Sequence, residues 1–334
     1  NQHALQTIPY FTPRHVIDMA VKMLSPHFDE YTIDTASGSC GFTVHSIFHV
    51  WGNEFQAGGP VTWQAEYARE KVFALDFDSR SIKIAKAINP IAGDGRSNVY
   101  RANTLDSRHW SEEVKTGLKH RLRKFPKDKS VEKWNEKNFR FFDFDVLMTN
   151  PPFAGDIRDS RILHQYDLAK GAKNKWRSRV GRDILFIERN MEFLKPGGRM
   201  AIVLPQGRLN NSKEDYIRRF LAEHGRILGI VGLHINMFKP HTGTKTSIVF
   251  WQKWNDDPKQ GPFNPVQDDY PIFMATNERP GKANSGDYVF VVDSNGEPVI
   301  DSHGHLIVDH DLGEIADAFI DWAKKHSLSF VRKS

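Results

Sequence analysis

The chain has 334 residues, of which 39% are hydrophobic and 26% charged, with a formal net charge of +5. That is enough for one large or two small globular cores, and no run approaches the roughly 18–20 apolar residues of a membrane-spanning helix. The opening "NQHALQTIPY" has neither a charged n-region nor an apolar h-region, and the one cysteine, Cys40, excludes a disulfide framework and a thiolate metal cluster; a reducing, cytoplasmic setting without membrane contact is expected.

Thr12-Pro13 joins a good N-cap to the residue best suited to a first helical position, and Val16, Ile17, Ala20, Val21 and Leu24 then share a helical face. "YTIDTA" (31–36) reads as a strand, "SGSCG" (37–41) as a turn and "FTVHSIFHVW" (42–51) as a helix. "KVFALDFD" (71–78) is a near-continuous apolar strand ending in acids; "SRSIKIAKAI" (79–88) is helical and "NVYRANTL" (98–105) is a strand. "FDVLMTN" (144–150) is a further strand, and a helix around "DILFIERNMEFLK" (183–195) stops at Pro196-Gly197-Gly198. "RMAIVLP" (199–205), "ILGIVGL" (227–233) and "KTSIVFWQKW" (245–254) are strands, with the helix "KEDYIRRFLAEH" (213–224) among them. Alternating helices and fully apolar strands predict an α/β fold, a parallel sheet covered on both faces.

From Asn255 the composition shifts to a linker, "NDDPKQGPFNPVQDD", and then to strands near "YPIFMAT" and "DYVFVVD". The amphipathic helix "DLGEIADAFIDWAKKH" follows, with Leu312, Ile315, Ala316 and Phe319 on one face, and no internal repeat is evident. Residues 1–254 are therefore expected to form a catalytic domain and 255–334 a small extension ending in a helix. Two basic insertions, 107–140 and 154–182, interrupt the first part. Between Ser111 and Arg140 ten Lys and Arg face five acids, and between Ala154 and Arg182 eight face three. Each reads either as a solvated insertion or as a phosphate-binding segment.

Three motifs fall at strand ends, where open α/β sheets bind ligands. In "DTASGSCGF", Asp34 ends a strand, and Gly38 and Gly41 let backbone approach a ligand; a plain connection is the alternative. In "ALDFD", Asp76 stands where a nucleotide-type ligand places its ribose, or is a solvated acid, and Phe77 can lie on an adenine ring or belong to the core. In "DVLMTNPPF", Asn150 offers a carbonyl acceptor, Pro151 and Pro152 stiffen the backbone, and Phe153 offers a flat face. Such an array suits a planar ring bearing an exocyclic amine; a simple turn is the alternative.

The motif and its setting resemble the Asn-Pro-Pro-Phe amino methyltransferases that use S-adenosylmethionine, and more closely the adenine-N6 modification subunit of type I restriction-modification systems. The likeness runs from about Tyr10 to the C-terminus. It implies the class I S-adenosylmethionine-dependent methyltransferase fold, with a mostly parallel seven-stranded sheet. It implies that "YFTPRHVIDMAVKML" is the family's first catalytic-domain helix, with Thr12 near the cofactor's carboxylate. Asp34, Ala36, Gly38, Gly41 and Phe42 would lie in the methionine-binding loop, Asp76 and Phe77 at the ribose and adenine, and Asn103 and Thr104 in the adenine-side loop. Asn150, Pro151, Pro152 and Phe153 would form the catalytic loop. The chain departs from the family where Thr35 replaces Pro, Ser37 replaces Cys, Cys40 replaces Gly and Asn103 replaces Asp. If the replaced Gly requires a positive φ, Cys40 strains the loop. The family's N-terminal helical domain has no counterpart in these residues.

The resemblance implies methyl transfer to adenine N6 in double-stranded DNA without a metal, with the base out of the stack. A specificity subunit would choose the sequence and a restriction subunit would be a further partner. Lys173, Lys175, Arg177 and Arg179, downstream of the catalytic loop, would meet phosphate. An RNA or protein-glutamine methyltransferase, and a catalytically silent DNA-binding subunit, are the alternatives. A dinucleotide oxidoreductase is disfavoured because "SGSCGF" lacks the full glycine spacing.

Overall fold

Eight strands build one sheet in the computed structural model, which describes residues 11–52, 62–91, 98–302 and 304–331. Tyr10, where the family likeness begins, lies outside the described residues. In chain order the strands are β1 (Thr32–Asp34), β2 (Val72–Asp76), β3 (Asn98–Arg101), β4 (Phe144–Thr149), β5 (Leu194–Pro205), β6 (Gly225–Gly232), β7 (Thr246–Lys253) and β8 (Phe273–Thr276). Their spatial order is β8-β6-β7-β5-β4-β1-β2-β3. All neighbours run parallel except that β7 is antiparallel to both β5 and β6. β6 returns into β7 without the crossover helix that a parallel partner usually needs.

The burial pattern explains why the strands are apolar throughout. Every residue of β4 is buried, and its side chains divide between two cores, with an irregularity in the pairing between Phe144 and Val146. Phe144 and Leu147 join a core with Phe193, Met200, Ile202 and Trp251, while Val146 and Met148 join one with Ala201, Val203 and Phe250. The first core is covered by the helix Arg182–Phe193, buried from Asp183 to Phe193, and by the insertion 107–140. That insertion is not merely a solvated loop: Trp110, Val114, Leu118 and Phe139 are buried in it. Its Arg140 is also buried, paired with Glu192. The second core is covered by helix α1 (Arg14–Leu24) and by the C-terminal helix Leu312–Lys325.

Four local expectations change. Pro13, not Thr12, occupies the N-cap position of α1, and no side chain caps the helix. The helix expected over 183–195 ends at Phe193, and β5 begins before the Pro-Gly-Gly sequence. Pro196, Gly197 and Gly198 form an irregularity in which the pairing jumps from Phe144–Leu194 to Val146–Arg199. The sheet has eight strands rather than seven because Phe273–Thr276, from the C-terminal extension, adds parallel to β6.

The stretch "DYVFVVD" forms no strand of the main sheet, and it begins a repeat that the sequence reading missed. Val291 N–H donates to Ile307, Ile307 N–H to Val299, and Val299 N–H to Val291, at 2.9, 3.0 and 2.9 Å. Three chain passes thus close a ring, separated by turns at Gly296 and Gly304 with φ of 85° and 80°. The repeated signal is Asp-Ser closed by Gly: Asp293-Ser294 with Gly296, and Asp301-Ser302 with Gly304.

Among the described residues no helix is long and apolar enough to cross a membrane. The C-terminal helix is part of the fold: Phe319 is fully buried against Phe250, Phe273 and Trp322. Phe319→Ala should cost about 3–5 kcal/mol. Denaturant unfolding followed by tryptophan fluorescence should show one transition, shifted as a whole; two separate transitions would show that the extension unfolds independently.

Candidate functional site

Strand order reverses between β1 and β4, since β2 and β3 lie on one side and β5 on the other. The crevice at such a reversal is where α/β sheets receive ligands. Here it holds a cavity of about 380 Å³ and a smaller one of about 50 Å³, sharing Ala36, Gly38 and Asn150. The larger is lined by Asp76, Phe77, Asn103, Thr104 and the loop Asn150-Pro151-Pro152-Phe153. The smaller is lined by Thr12, Asp34, Gly41 and Phe42. Every residue expected to contact cofactor or target base therefore lines one of two adjoining cavities.

The turn after β1 is shaped by backbone bonds. Ser37 N–H donates to Leu75 O at 2.9 Å and Cys40 N–H to Ser37 O at 2.7 Å. Gly38 has φ of 51° and Cys40 of 70°. The replaced glycine position is thus a left-handed one, and a cysteine there costs on the order of 1 kcal/mol. Offsetting this, Cys40 is fully buried against Ala74, Ile82, Ala85 and Val99. Burial pushes its thiol up to about 12, which makes it a packing group rather than a nucleophile.

Asp76 ties the first two strand ends together. One carboxylate oxygen accepts from Gly38 N–H at 2.7 Å and the other from Asp78 N–H at 2.8 Å. Burial still raises its pKa, against the lowering effect of those bonds. Beside it Phe77 is 68% exposed at the cavity wall, so it is not a core residue.

At the other side of the crevice, Asn150 donates through Nδ2 to Thr12 Oγ1 at 3.0 Å. Its Oδ1 is buried and has no partner. An acceptor left unpaired in a cavity wall is costly in a folded protein unless a donor arrives there. Phe153 is half-buried and meets the buried Phe238 edge-on, with centroids 6.4 Å apart at 87°. Asp34 is buried and accepts from Ala36 N–H at 3.0 Å; burial pushes its carboxyl up to about 7.

The third loop is braced from behind. Thr104 Oγ1 donates to Thr35 O at 2.6 Å, and Thr35 Oγ1 donates to Asn190 Oδ1 at 2.7 Å. The second bond exists only because threonine stands where the family has proline. Arg189 Nε donates to Thr104 O at 2.9 Å. Asn103 Oδ1 accepts from Leu105 N–H at 3.2 Å, so part of its acceptor capacity is already used.

Of the four basic residues expected to meet phosphate, Lys173, Lys175 and Arg179 are exposed. Arg177 is half-buried, lying over the Tyr216 ring at 4.3 Å and donating to its hydroxyl at 3.2 Å. The segment is closed by a short antiparallel pair, Asp156–Ile157 with Val180–Gly181. Sequence reasoning missed Ile157, Arg182, Phe186, Phe238 and Thr242, all of which line the larger cavity. Arg182 was hidden inside a basic run, and the others carry no local signature.

A family model described as N-6 DNA Methylase matches residues 2–332. The type I restriction enzyme EcoEI methylase subunit of Escherichia coli is 25% identical over 246 residues, covering 73% of this chain and 42% of that protein. A modification subunit of a putative type I restriction enzyme from Vibrio vulnificus YJ016 superposes with a TM-score of 0.58 at 19% identity, covering 96% of this chain and 54% of the other. A putative class I S-adenosylmethionine-dependent methyltransferase from Listeria monocytogenes gives 0.51 at 19% identity, over 82% and 68% of the two chains. The fold is thus that of the class I methyltransferases. The chain spans about half or less of the length of the type I relatives.

The Asp34 carboxyl yields a pH test. Its folded pKa, about 7, lies above that of an unfolded aspartate. The native state therefore binds the proton more tightly, and this contribution to stability is complete below about pH 4 and lost as pH rises through 7. Asp34→Asn should be more stable than the parent at pH 8 by on the order of a few kcal/mol, with the difference vanishing near pH 4. Urea unfolding at both pH values checks this, and a difference independent of pH would show that Asp34 is ionised throughout.

Proposed function

The chain belongs to the N-6 DNA Methylase family, and on that premise we propose that it transfers a methyl group from S-adenosylmethionine to the N6 amine of adenine in double-stranded DNA, as the modification subunit of a restriction-modification system. The observation that carries the reading is Asn150, which lines both cavities and whose buried Oδ1 has no partner. It is an acceptor waiting for an N–H donor, and the exocyclic amine of adenine is one.

The cavity residues fit the cofactor. Asp76, fixed by two backbone N–H groups, would accept from the ribose hydroxyls, and the exposed face of Phe77 would carry the adenine ring. Gly38 presents open space where a side chain would project, and its positive φ favours glycine. Thr12 and Asp34 would hold the methionine end: Thr12 Oγ1 already accepts from Asn150, so its own proton remains for a carboxylate. When bound, S-adenosylmethionine supplies an electrophilic methyl group on its sulfonium.

The residues around the target do the remaining work. An adenine amine is a poor nucleophile because its lone pair delocalises into the ring. Accepting hydrogen bonds from it, Asn150 Oδ1 and the Pro151 carbonyl would favour a pyramidal nitrogen with its lone pair free. Pro151 and Pro152 hold these acceptors in a fixed array, so little reorganisation is needed at the moment of transfer. Phe153, braced by the edge of Phe238, would replace the stacking that the base loses on leaving the duplex. Asn103 would lend its remaining acceptor lone pair on the cofactor side.

Lys173, Lys175, Arg177 and Arg179 would contact phosphate, Arg177 keeping its place on Tyr216. Sequence choice would come from a specificity subunit, with a restriction subunit as further partner. What supports this, among the described residues, is that β8 and the C-terminal helix are absorbed into the sheet and its cover instead of forming a module of their own. A base-reading module needs roughly 600–1,000 Å² of its own contact surface.

Two substitutions test the reading. Asn150→Ala should abolish tritium transfer from labelled cofactor to DNA while calorimetry finds the cofactor still bound; turnover at the parent rate would sink the mechanism. Asp76→Ala should weaken cofactor binding by about 2–4 kcal/mol. A folded variant with unchanged affinity would remove Asp76 from the ribose. RNA and protein glutamine, offered alongside DNA in the same assay, should accept no label.

A further inference from the structure

Arg182 is the one basic side chain lining the larger cavity, among the described residues. It is half-buried, and its guanidinium lies against Gly155 at the exit of the catalytic loop. A Cβ added to Gly155, whose φ is 92°, would come within 2.7 Å of an Arg182 Nη2. Arg182 N–H donates to Gly155 O at 3.2 Å, so the two ends of the basic segment meet here. Three neighbouring arginines have carboxylates beside them. Arg161 pairs with Asp159, Arg179 faces Asp156 at 3.8 Å, and Arg208 binds Asp183. No described carboxylate pairs with Arg182.

The cavity's acids are on its other side. Asp76 closes β2 and Asp78 follows it, whereas Arg182 opens the helix leading into β5, with β1 and β4 between them. A half-buried guanidinium without a carboxylate, beside the loop proposed to receive an extruded base, suits an anion that arrives with that base. A nucleotide brings one such anion with it: the phosphodiester of its own backbone. Guanidinium recognises phosphate oxygens in a two-pronged geometry.

Resting on the adenine-methyltransferase reading, we propose that Arg182 binds a phosphodiester flanking the target adenine and so holds the extruded nucleotide in register with Asn150. The φ of 92° at Gly155 favours glycine, and the missing side chain leaves room for the guanidinium at the catalytic loop's exit. Arg182 is thereby a substrate-binding residue, distinct from the exposed lysines, whose contacts draw DNA to the surface without fixing one nucleotide.

The test compares the unsubstituted chain, R182Q and R182K, each with any specificity subunit that co-purifies. Initial rates of tritium transfer to plasmid DNA lacking adenine methylation are measured from about 50 to about 250 mM salt. For R182Q, kcat/KM for DNA should fall roughly 10–100-fold, and the slope of its logarithm against log salt should become shallower by about 0.9, the loss of one phosphate contact. R182K should recover the slope but only part of the rate, because an ammonium keeps the charge and loses the fork. Cofactor affinity by calorimetry should stay within about twofold of the parent, against the tenfold that each 1.4 kcal/mol would bring. An unchanged rate overturns the proposal. So does a lost rate with an unchanged salt slope, which marks a structural role, or a parallel loss of cofactor affinity, which moves Arg182 to the cofactor. If the unsubstituted chain transfers no label to DNA, the functional reading falls and this proposal falls with it.

Discussion

Between β1 and β4 the chain connections leave in opposite directions, and this constraint opens the crevice on which the rest of the site depends. No crossover covers the carboxyl ends of these two strands. Asp34 ends one, and Asn150 follows the other. The Asn150–Thr12 hydrogen bond then brings in the segment just before α1, so two distant stretches meet at one amide, beside a cavity that Asp34 also lines. Thr12 can make this contact because Pro13 takes the N-cap position, leaving the threonine hydroxyl without a capping duty.

The loops around the crevice are short, and their backbone would be free to move were it not tied from beneath. The ties are polar and buried. Thr35 links the turn after β1 to Asn190, Thr104 links the turn after β3 to Thr35, and Arg189 holds Thr104 while also donating to the carbonyls of Phe139 and Arg140. A fully buried arginine is tolerable only when its donors are satisfied and its charge is met, and Glu192 accepts from it at 3.0 Å. The insertion 107–140 therefore has a structural role: its last residues supply acceptors for the arginine that fixes the adenine-side loop. Such preorganisation suits the proposed transfer, in which positioned acceptors would stand in for a strong base.

What the sequence revealed and what it hid follow one physical division. Features encoded by neighbouring residues were legible. An apolar run of strand length predicted β4, and the Asn-Pro-Pro-Phe sequence after it and the acid closing β2, both read as facing a ligand, line the larger cavity. Features made by residues that meet only in the fold were not. Arg182 looks like one more cation in a basic run until the cavity shows where it lies, and Phe238 carries no mark at all before it meets Phe153. The eighth strand was read as part of a tail because Phe273–Thr276 alternates between half-buried and exposed, as an edge strand does, instead of being continuously apolar. The repeat was obscured because its first pass carries extra residues, and only the closed ring of Val291, Val299 and Ile307 reveals which positions correspond.

The departures at Thr35 and Cys40 show how one loop can change sequence and keep its shape. Both lie in the turn after β1, and each alone looks unfavourable: a proline's stiffness is given up at one position and a glycine's freedom at the other. The structure supplies a compensation for each. Thr35 gains a buried hydrogen bond to Asn190 that proline could not make, which restores from the side chain the rigidity lost from the ring. Cys40 accepts a left-handed conformation and buries a small apolar side chain against β2, β3 and the following helix. Gly38 has no such exchange available. Its left-handed backbone resembles that of Cys40, but its missing side chain faces the open cavity instead of a core, so no packing could offset the strain of a larger residue. The turn can therefore vary where it faces the protein interior and favours glycine where it faces the cavity.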